Sequence, residues 1–266
     1  MSINIAGIEI THPDKIIYPA LNITKLEMVK YYEKVSDKML KFLKDRPLTL
    51  HRFPNGVNEE GFYQKNASDY FPTFVKTVEI ETEGKSISQV VCNTKRTLIY
   101  LVNQGTVSFH IWGSKIDMIN KPDRIVFDLD PSSNNFDEVK EAAKIVRKHL
   151  KSKGEKPQIM TTGQSGLHVF YKIRRTKSFD EAKAEAKIYA QRLEKNHPEI
   201  FTTALRKDKR DGKIFLDYLR NAYGQTAICP YSLRPNAIGG IATPIPWSHL
   251  NDLKASDQFN ISNLKK

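Results

Sequence analysis

Arg124-Ile-Val-Phe-Asp-Leu-Asp130 is the stretch on which the rest of the chain turns. Arg124–Leu129 reads as a buried strand, and side chains alternate across a strand, so Asp128 and Asp130 fall on one face at its end. Unpaired, two converging carboxylates repel each other and a pKa rises. A site that keeps both ionised normally supplies a cation, and oxygen ligands suit Mg²⁺ or Mn²⁺. A strand-end turn of the Asp-Pro-Ser type explains the same residues without metal, so the pair alone leaves both readings open.

Downstream, Val139, Ala142, Ala143, Val146 and Leu150 recur at helical spacing, which predicts a helix over Asp137–Ser152 ending near Gly154. Gln158–Thr162 and Leu167–Ile173 read as strands around a glycine-rich turn. Ser178-Phe-Asp-Glu181 is a capping box opening a helix that runs to Pro198, and Lys213–Leu219 is a further strand. Strand, helix, hairpin, helix, strand predicts an α+β unit with helices stacked on a mainly antiparallel sheet.

Upstream, a strand is expected over Ile3–Ile10. Thr24-Lys-Leu-Glu27 is another capping box, ahead of a helix over 24–44 on Leu26, Val29, Tyr32, Val35 and Met39. From Leu48 to Gly105 the pattern breaks into short β-like runs, among them Phe74–Ile80 and Leu98–Val102, with turn signals at Pro54-Asn-Gly56 and Glu83-Gly84. The expected organisation is one domain over 1–266. A β-rich N-terminal lobe with an early helix spans 1–110, and a catalytic α+β lobe spans 111–266.

A third acid, Asp217, sits in the otherwise apolar Ile214-Phe-Leu-Asp-Tyr-Leu219, where a carboxylate is costly unless paired or metal-bound. Three carboxylates are the natural ligands of two divalent ions in an in-line phosphoryl displacement, although a lone strand Asp is as often a salt-bridge partner. Thr161-Thr-Gly-Gln-Ser-Gly-Leu-His168 presents Thr162, Ser165 and His168 around a tight turn suited to phosphate, or is simply a hairpin. Asn221-Ala-Tyr-Gly-Gln-Thr226 and Pro230-Tyr-Ser-Leu-Arg234 add the hydroxyls of Thr226 and Ser232 and the guanidinium of Arg234, which suits a triphosphate or a structural ion pair.

The 42 Lys and Arg residues exceed the 30 Asp and Glu by a formal charge of +12, a field that attracts polyanions and makes nucleic acid the leading partner class. Hydrophobic residues at 39% and charged residues at 27% exclude a disordered chain. Two cysteines without CxxC spacing form no disulfide framework and point to a reducing cytoplasm. No apolar run approaches the roughly 20 residues of a membrane span, and no secretory leader pattern opens the chain.

In order along the chain, these segments resemble the polymerase domain of bacterial ligase D and its stand-alone relatives in the archaeo-eukaryotic primase superfamily. The marks are Thr11-His-Pro-Asp-Lys15 with Ile23-Thr-Lys25, Arg46-Pro-Leu-Thr with Arg52-Phe-Pro-Asn-Gly56, and Gly61-Phe-Tyr-Gln-Lys65. They continue through Val126-Phe-Asp-Leu-Asp-Pro131, Thr162-Gly-Gln-Ser-Gly-Leu-His168, Phe215-Leu-Asp217 and Pro230-Tyr-Ser-Leu-Arg234.

The resemblance implies a primase-like core with an RRM-like sheet, catalysis by two Mn²⁺ or Mg²⁺ ions, and a preference for NTPs over dNTPs. It implies Asp128, Asp130 and Asp217 as catalytic metal ligands, His168 and Arg234 as triphosphate contacts, and His110 as a further active-site histidine. It also implies binding of DNA carrying a 5′-phosphate at a gap or break through Lys15 and Lys25. Phe62 and Tyr63 are then expected to stack on a base, with Arg52 and Lys65 on phosphate. Ser165 departs from the pattern, since many relatives carry Lys or Arg there, and Lys172 is expected to supply that contact. In the charge run 206–213, Arg206 and Lys209 match a loop near the primer.

The resemblance implies Ku and a separate ATP-dependent ligase as partners; the chain is expected to be a monomer, and because Lys266 follows soon after Ile245-Pro-Trp-Ser-His249, sealing is expected to fall to another protein. Two rival readings are a haloacid-dehalogenase-like phosphatase with Asp128 as nucleophile and a non-catalytic DNA-end-binding module. The first lacks a convincing downstream acidic pair, and the second leaves three acids in a basic protein without a purpose.

Overall fold

The computed structural model describes residues 2–82 and 84–265, so Glu83 of the expected Glu83-Gly84 turn lies outside the described residues. The chain opens on two short hairpins, β1 (Asn4–Ile5) with β2 (Ile8–Glu9) and β3 (Ile16–Tyr18) with β4 (Ile23–Thr24). The single strand expected over Ile3–Ile10 is therefore folded in two, because Ala6 and Gly7 both take positive φ and reverse the chain. Helix α1 (Lys25–Leu43) follows with its capping box complete. The Thr24 hydroxyl accepts the Glu27 N–H at 3.2 Å, and the Glu27 carboxylate accepts the Thr24 N–H at 2.7 Å.

Next come β5 (Leu48–Arg52), β6 (Phe62–Gln64), the hairpin β7 (Lys76–Thr82) and β8 (Lys85–Val91), α2 (Lys95–Asn103) and β9 (Thr106–Trp112). Leu98–Val102, expected as a strand, lies inside α2. A short apolar run fits either period, and here the Thr94 hydroxyl decides it by accepting the Thr97 N–H at 3.1 Å and starting a helix. Leu98, Ile99, Leu101 and Val102 then form the buried face that packs with α1.

The second half contains β10 (Arg124–Asp130), α3 (Phe136–Ser152), β11 (Gln158–Thr161), β12 (Leu167–Lys172), α4 (Phe179–Asn196), β13 (Phe201–Thr202), β14 (Ile214–Asp217), β15 (Thr226–Ile228) and β16 (Pro244–Ile245). Six of these strands form a sheet in the order β13-β14-β10-β12-β11-β16, antiparallel except for β13 beside β14. Strand β15 crosses over and pairs with β9, completing a four-stranded antiparallel sheet, β15-β9-β5-β6. The result is the expected α+β architecture.

The alternation along β10 sets the geometry of everything that follows. Ile125, Phe127 and Leu129 are fully buried among α3 and α4 residues such as Val139, Val146, Ala182 and Ala186. Each such side chain contributes roughly 1.5–3 kcal/mol of apolar burial. Arg124, Val126, Asp128 and Asp130 are thereby turned to the other face of the sheet. There Val126 packs with Met160 and Phe170 of the same sheet and with Ile228 of the other. The acids thus open onto a groove between the two sheets.

Candidate active site in the groove between the sheets

Asp217 of β14 stands directly opposite Asp128 of β10, and Asp130 stands opposite Phe215. Strand β14 pairs with β10 only over Asp128–Asp130, and beyond it a side chain continues the ladder. Asn221 accepts the Val126 N–H at 2.8 Å and donates its amide to the Val126 carbonyl at 2.7 Å and the Tyr218 carbonyl at 2.8 Å. Asn221→Ala should therefore leave buried backbone groups unpaired and cost about 2–4 kcal/mol, read as a drop of roughly 5–15 °C in melting temperature. An unchanged melting temperature would refute the bracing role.

The three carboxylates are held by basic side chains of the chain itself. Arg220 Nε lies 3.2 Å from Asp217 Oδ2 and 3.5 Å from Asp128 Oδ2. His168 Nε2 lies 3.4 Å from Asp128 Oδ1, and Arg210 binds Asp130 at 2.9 Å. Burial opposes ionisation of Asp128, but His168, Arg220 and Arg234 outweigh it and hold that carboxyl below its ordinary range. Asp217 is displaced upward, by burial first and then by the charges of Asp128 and Asp130 against the pull of Arg220. Oxygen donors of this kind, two of them face to face, fit a hard divalent cation by their chemistry. Among the described residues, however, no three side chains of His, Cys, Asp or Glu are already gathered to enclose one. Arg210 and Arg220 occupy the carboxylates instead.

The groove, which encloses about 400 Å³, is lined also by Tyr63, His110, Ser165 and Arg234. That volume falls in the range that accommodates a small-molecule ligand, roughly 300–1,000 Å³. Two buried nitrogens of these lining residues, His110 Nε2 and Arg234 Nε, have no hydrogen-bond partner among the described residues. Burial, then the charge of Arg234, keeps His110 neutral, far below the usual histidine range. The turn between β11 and β12 is closed by Thr162, whose hydroxyl donates to the Gly166 carbonyl at 3.0 Å and also contacts the amides of Gln164 and Gly166. Thr162 therefore shapes the turn, while Ser165 stands exposed at its tip and Gln164 pairs with Arg234.

Several candidates from the sequence sit elsewhere. Lys172 shares a sheet face with His168 but lies four residues along β12, roughly 13 Å away, and lines a different cavity. The Ser232 hydroxyl is fully buried and accepts the Phe109 N–H at 2.8 Å. Arg52 is buried and spends its guanidinium on the Gln104 carbonyl, Gln64 and Tyr70, so it braces the exposed aromatic patch of Phe62, Tyr63 and Tyr70. Lys65 and Lys209 are exposed and their ammonium groups make no hydrogen bond or salt bridge among the described residues, whereas Arg206 forms a local pair with Asp208. Thr226 lines the groove beside the acids.

Lys15 and Lys25 do come together. Their ammonium groups bond Asn55 at 3.1 Å and Thr11 at 3.0 Å, and burial followed by the charge of Lys15 lowers the Lys25 pKa to about 8. The N–H groups of Lys25, Leu26 and Glu27, at the start of α1, are already taken by the Lys15 and Pro13 carbonyls and the Thr24 hydroxyl. An anion here would be held by the lysines and not by free helix amides.

Sequence reasoning missed Arg210, Arg220, Asn221 and His51. His51 stacks on Tyr63 at 3.9 Å between ring centres, and burial plus Arg234 lower its pKa to about 4. Arg220 carries one legible signal, its position three residues after Asp217.

The groove thus sets three acids, which repel a polyanion, against the cations Arg210, Arg220 and Arg234, which attract one. The family model described as the LigD primase-polymerase domain matches residues 24–266, and the chain belongs to that family. It is 34% identical over 259 residues to the bifunctional non-homologous end joining protein LigD of Bacillus subtilis, covering 97% of this chain and 42% of that protein. To the multifunctional LigD of Pseudomonas aeruginosa it is 29% identical over 260 residues, covering 97% of this chain and 31% of that one. The chain thus spans less than half the length of these curated relatives. The solved polymerase domain of Mycobacterium tuberculosis ligase D in complex with DNA superimposes with a TM-score of 0.91 at 28% identity, covering 97% of this chain and 92% of that domain.

Proposed function

We propose that the chain is a template-directed nucleotidyltransferase that extends primer ends at gaps and breaks in DNA during non-homologous end joining, with residues 1–266 working as one polymerase unit. The observation that carries this reading is the pairing, in one groove, of three carboxylates, two of them face to face, with His110 and Arg234, whose buried nitrogens lack hydrogen-bond partners among the described residues. Family membership and the likeness to a DNA-bound polymerase domain support it.

Asp128, Asp130 and Asp217 would hold two divalent ions, Mn²⁺ or Mg²⁺, in place of Arg210 and Arg220. Bound there, such ions activate the attacking 3′-hydroxyl and neutralise charge on the triphosphate. The chain's own groups do the rest. Arg234 gives up Gln164 to grip the triphosphate, and neutral His110 offers a hydrogen bond without adding charge beside Arg234. Tyr63, held by its stack on His51, and exposed Phe62 present ring faces to a base. Lys65 and the loop bearing Arg206 and Lys209 face solvent, where they can meet the DNA backbone.

On this reading the chain favours ribonucleotides over deoxyribonucleotides and works as a cytoplasmic monomer, with Ku and a separate ligase as partners. Extension assays with NTPs and dNTPs in parallel test the sugar preference, and a higher rate with dNTPs would reverse it.

Lys15 and Lys25 form the 5′-phosphate site of this reading. Because Lys25 keeps its proton only below about pH 8, preference for a 5′-phosphorylated over a 5′-hydroxyl gapped duplex should fade as pH rises. The ratio of the two dissociation constants, measured from about pH 7 to about pH 9, reads this directly. A flat ratio would remove Lys25 from the site.

A further inference from the structure

The groove continues behind the carboxylates. On the same face of the sheet, β10 runs back from Asp128 through Val126 to Arg124, and β12 runs on from His168 through Phe170 to Lys172. Beside Val126 and Phe170 the space between the sheets narrows to about 30 Å³, room for one or two water molecules. Beyond this waist it opens into a second cleft of about 380 Å³. The waist is too small for a nucleotide, so the rear cleft is a separate site.

Its charge is one-sided. Five cations line it, Lys41, Arg46, Lys115, Arg124 and Lys172, against a single carboxylate, Asp123. That carboxylate is consumed from within, by the Arg46 guanidinium on one oxygen and Arg124 Nε at 3.2 Å on the other. Arg46 is satisfied by the Trp112 and Ser114 carbonyls as well. The terminal amino groups of Arg124 and the ammonium groups of Lys41, Lys115 and Lys172 make no hydrogen bond or salt bridge among the described residues. Burial and the nearby charge of Arg124 lower the Arg46 pKa, as expected where positive charge is crowded. Crowded cations in a partly enclosed space are stabilised by an anion, and a phosphoryl group matches the free fork of Arg124.

We propose that this rear cleft is a second phosphate-binding site, which takes phosphoryl groups of a nucleic-acid backbone or of a free nucleotide. Two probes separate these sources: a 5′-hydroxyl single strand of about 12 nucleotides, and ATP in the presence of EDTA. Their affinities are compared for the wild type, Lys115→Gln/Lys172→Gln, and a control of equal charge loss, Lys187→Gln/Lys195→Gln. The control residues are exposed on α4, which packs against the opposite face of the sheet.

The cleft variant should bind at least one probe about fivefold or more weakly, with the control near wild type. Weakening for the single strand, with its salt slope smaller by about 1.4, identifies a backbone. Weakening for ATP identifies a free nucleotide. Unchanged affinity for both probes, or an equal loss in the control, overturns the proposal. Lys41→Gln, on a different element, repeats the measurement if the double variant melts early.

Discussion

Asp128→Asn should reduce primer extension by at least a thousandfold, about 4 kcal/mol of transition-state stabilisation. Asparagine preserves the size of the side chain and much of its hydrogen bonding, so the change isolates the charge. Asp128 faces Asp217 across the β10–β14 pair and carries His168 on its other oxygen, which places it at the centre of the acid cluster. Folding should survive, because Arg220 keeps Asp217 as its partner. Single-turnover extension rates on a gapped duplex provide the comparison, with thermal unfolding as the control. A folded Asp128→Asn protein that extends within about tenfold of wild type would show that the charge of Asp128 is not used.

Gly166→Ala should be the most damaging single methyl group in the groove. A Cβ at this position would sit 2.4 Å from the Leu129 carbonyl oxygen, backbone of the strand that carries Asp128 and Asp130. Relief requires the β11–β12 turn to move away from β10, which breaks the hydrogen bonds between Thr162 and Gly166 and displaces His168. A cost of about 2–4 kcal/mol follows, or roughly 5–15 °C in melting temperature, with a loss of extension larger than the stability loss explains. Gly212→Ala is the matched control. It has positive φ but no atom within 4 Å of the added methyl group, so only about 1 kcal/mol of backbone strain is expected. Equal melting temperatures for the two variants would show that the contact at Gly166 is not tight.

The elements that can be read from the sequence are those whose pattern runs long enough to have one period. α1, α3 and α4 carry several turns of apolar spacing and, in two cases, a complete capping box. β10 announces itself through alternation, and that two-residue period by itself places Asp128 and Asp130 on one face. Short runs fail, as Leu98–Val102 does, because five apolar residues fit a helix as well as a strand and a single hydroxyl at Thr94 chooses between them.

The site divides along similar lines. Carboxylates are costly inside a strand, so Asp217 is conspicuous. Arg210, Arg220 and Asn221 act by closing back onto β10 from loops and 3₁₀ turns, and no local pattern encodes such closure. Ser232 and Arg52 have the right chemistry, but their groups are satisfied by the Phe109 amide and the Gln104 carbonyl. Lys172 shows how a correct face can still mislead. It points the same way as His168, yet the length of β12 carries it past the waist into the rear cleft.

Extension of a primer on a gapped duplex with a 5′-phosphate at the downstream strand, in Mn²⁺ with NTPs or dNTPs, tests the central claim most directly. The account predicts addition of the templated nucleotide, faster on the 5′-phosphorylated gap than on its 5′-hydroxyl counterpart. Folded wild-type protein that adds no nucleotide of either kind would contradict it.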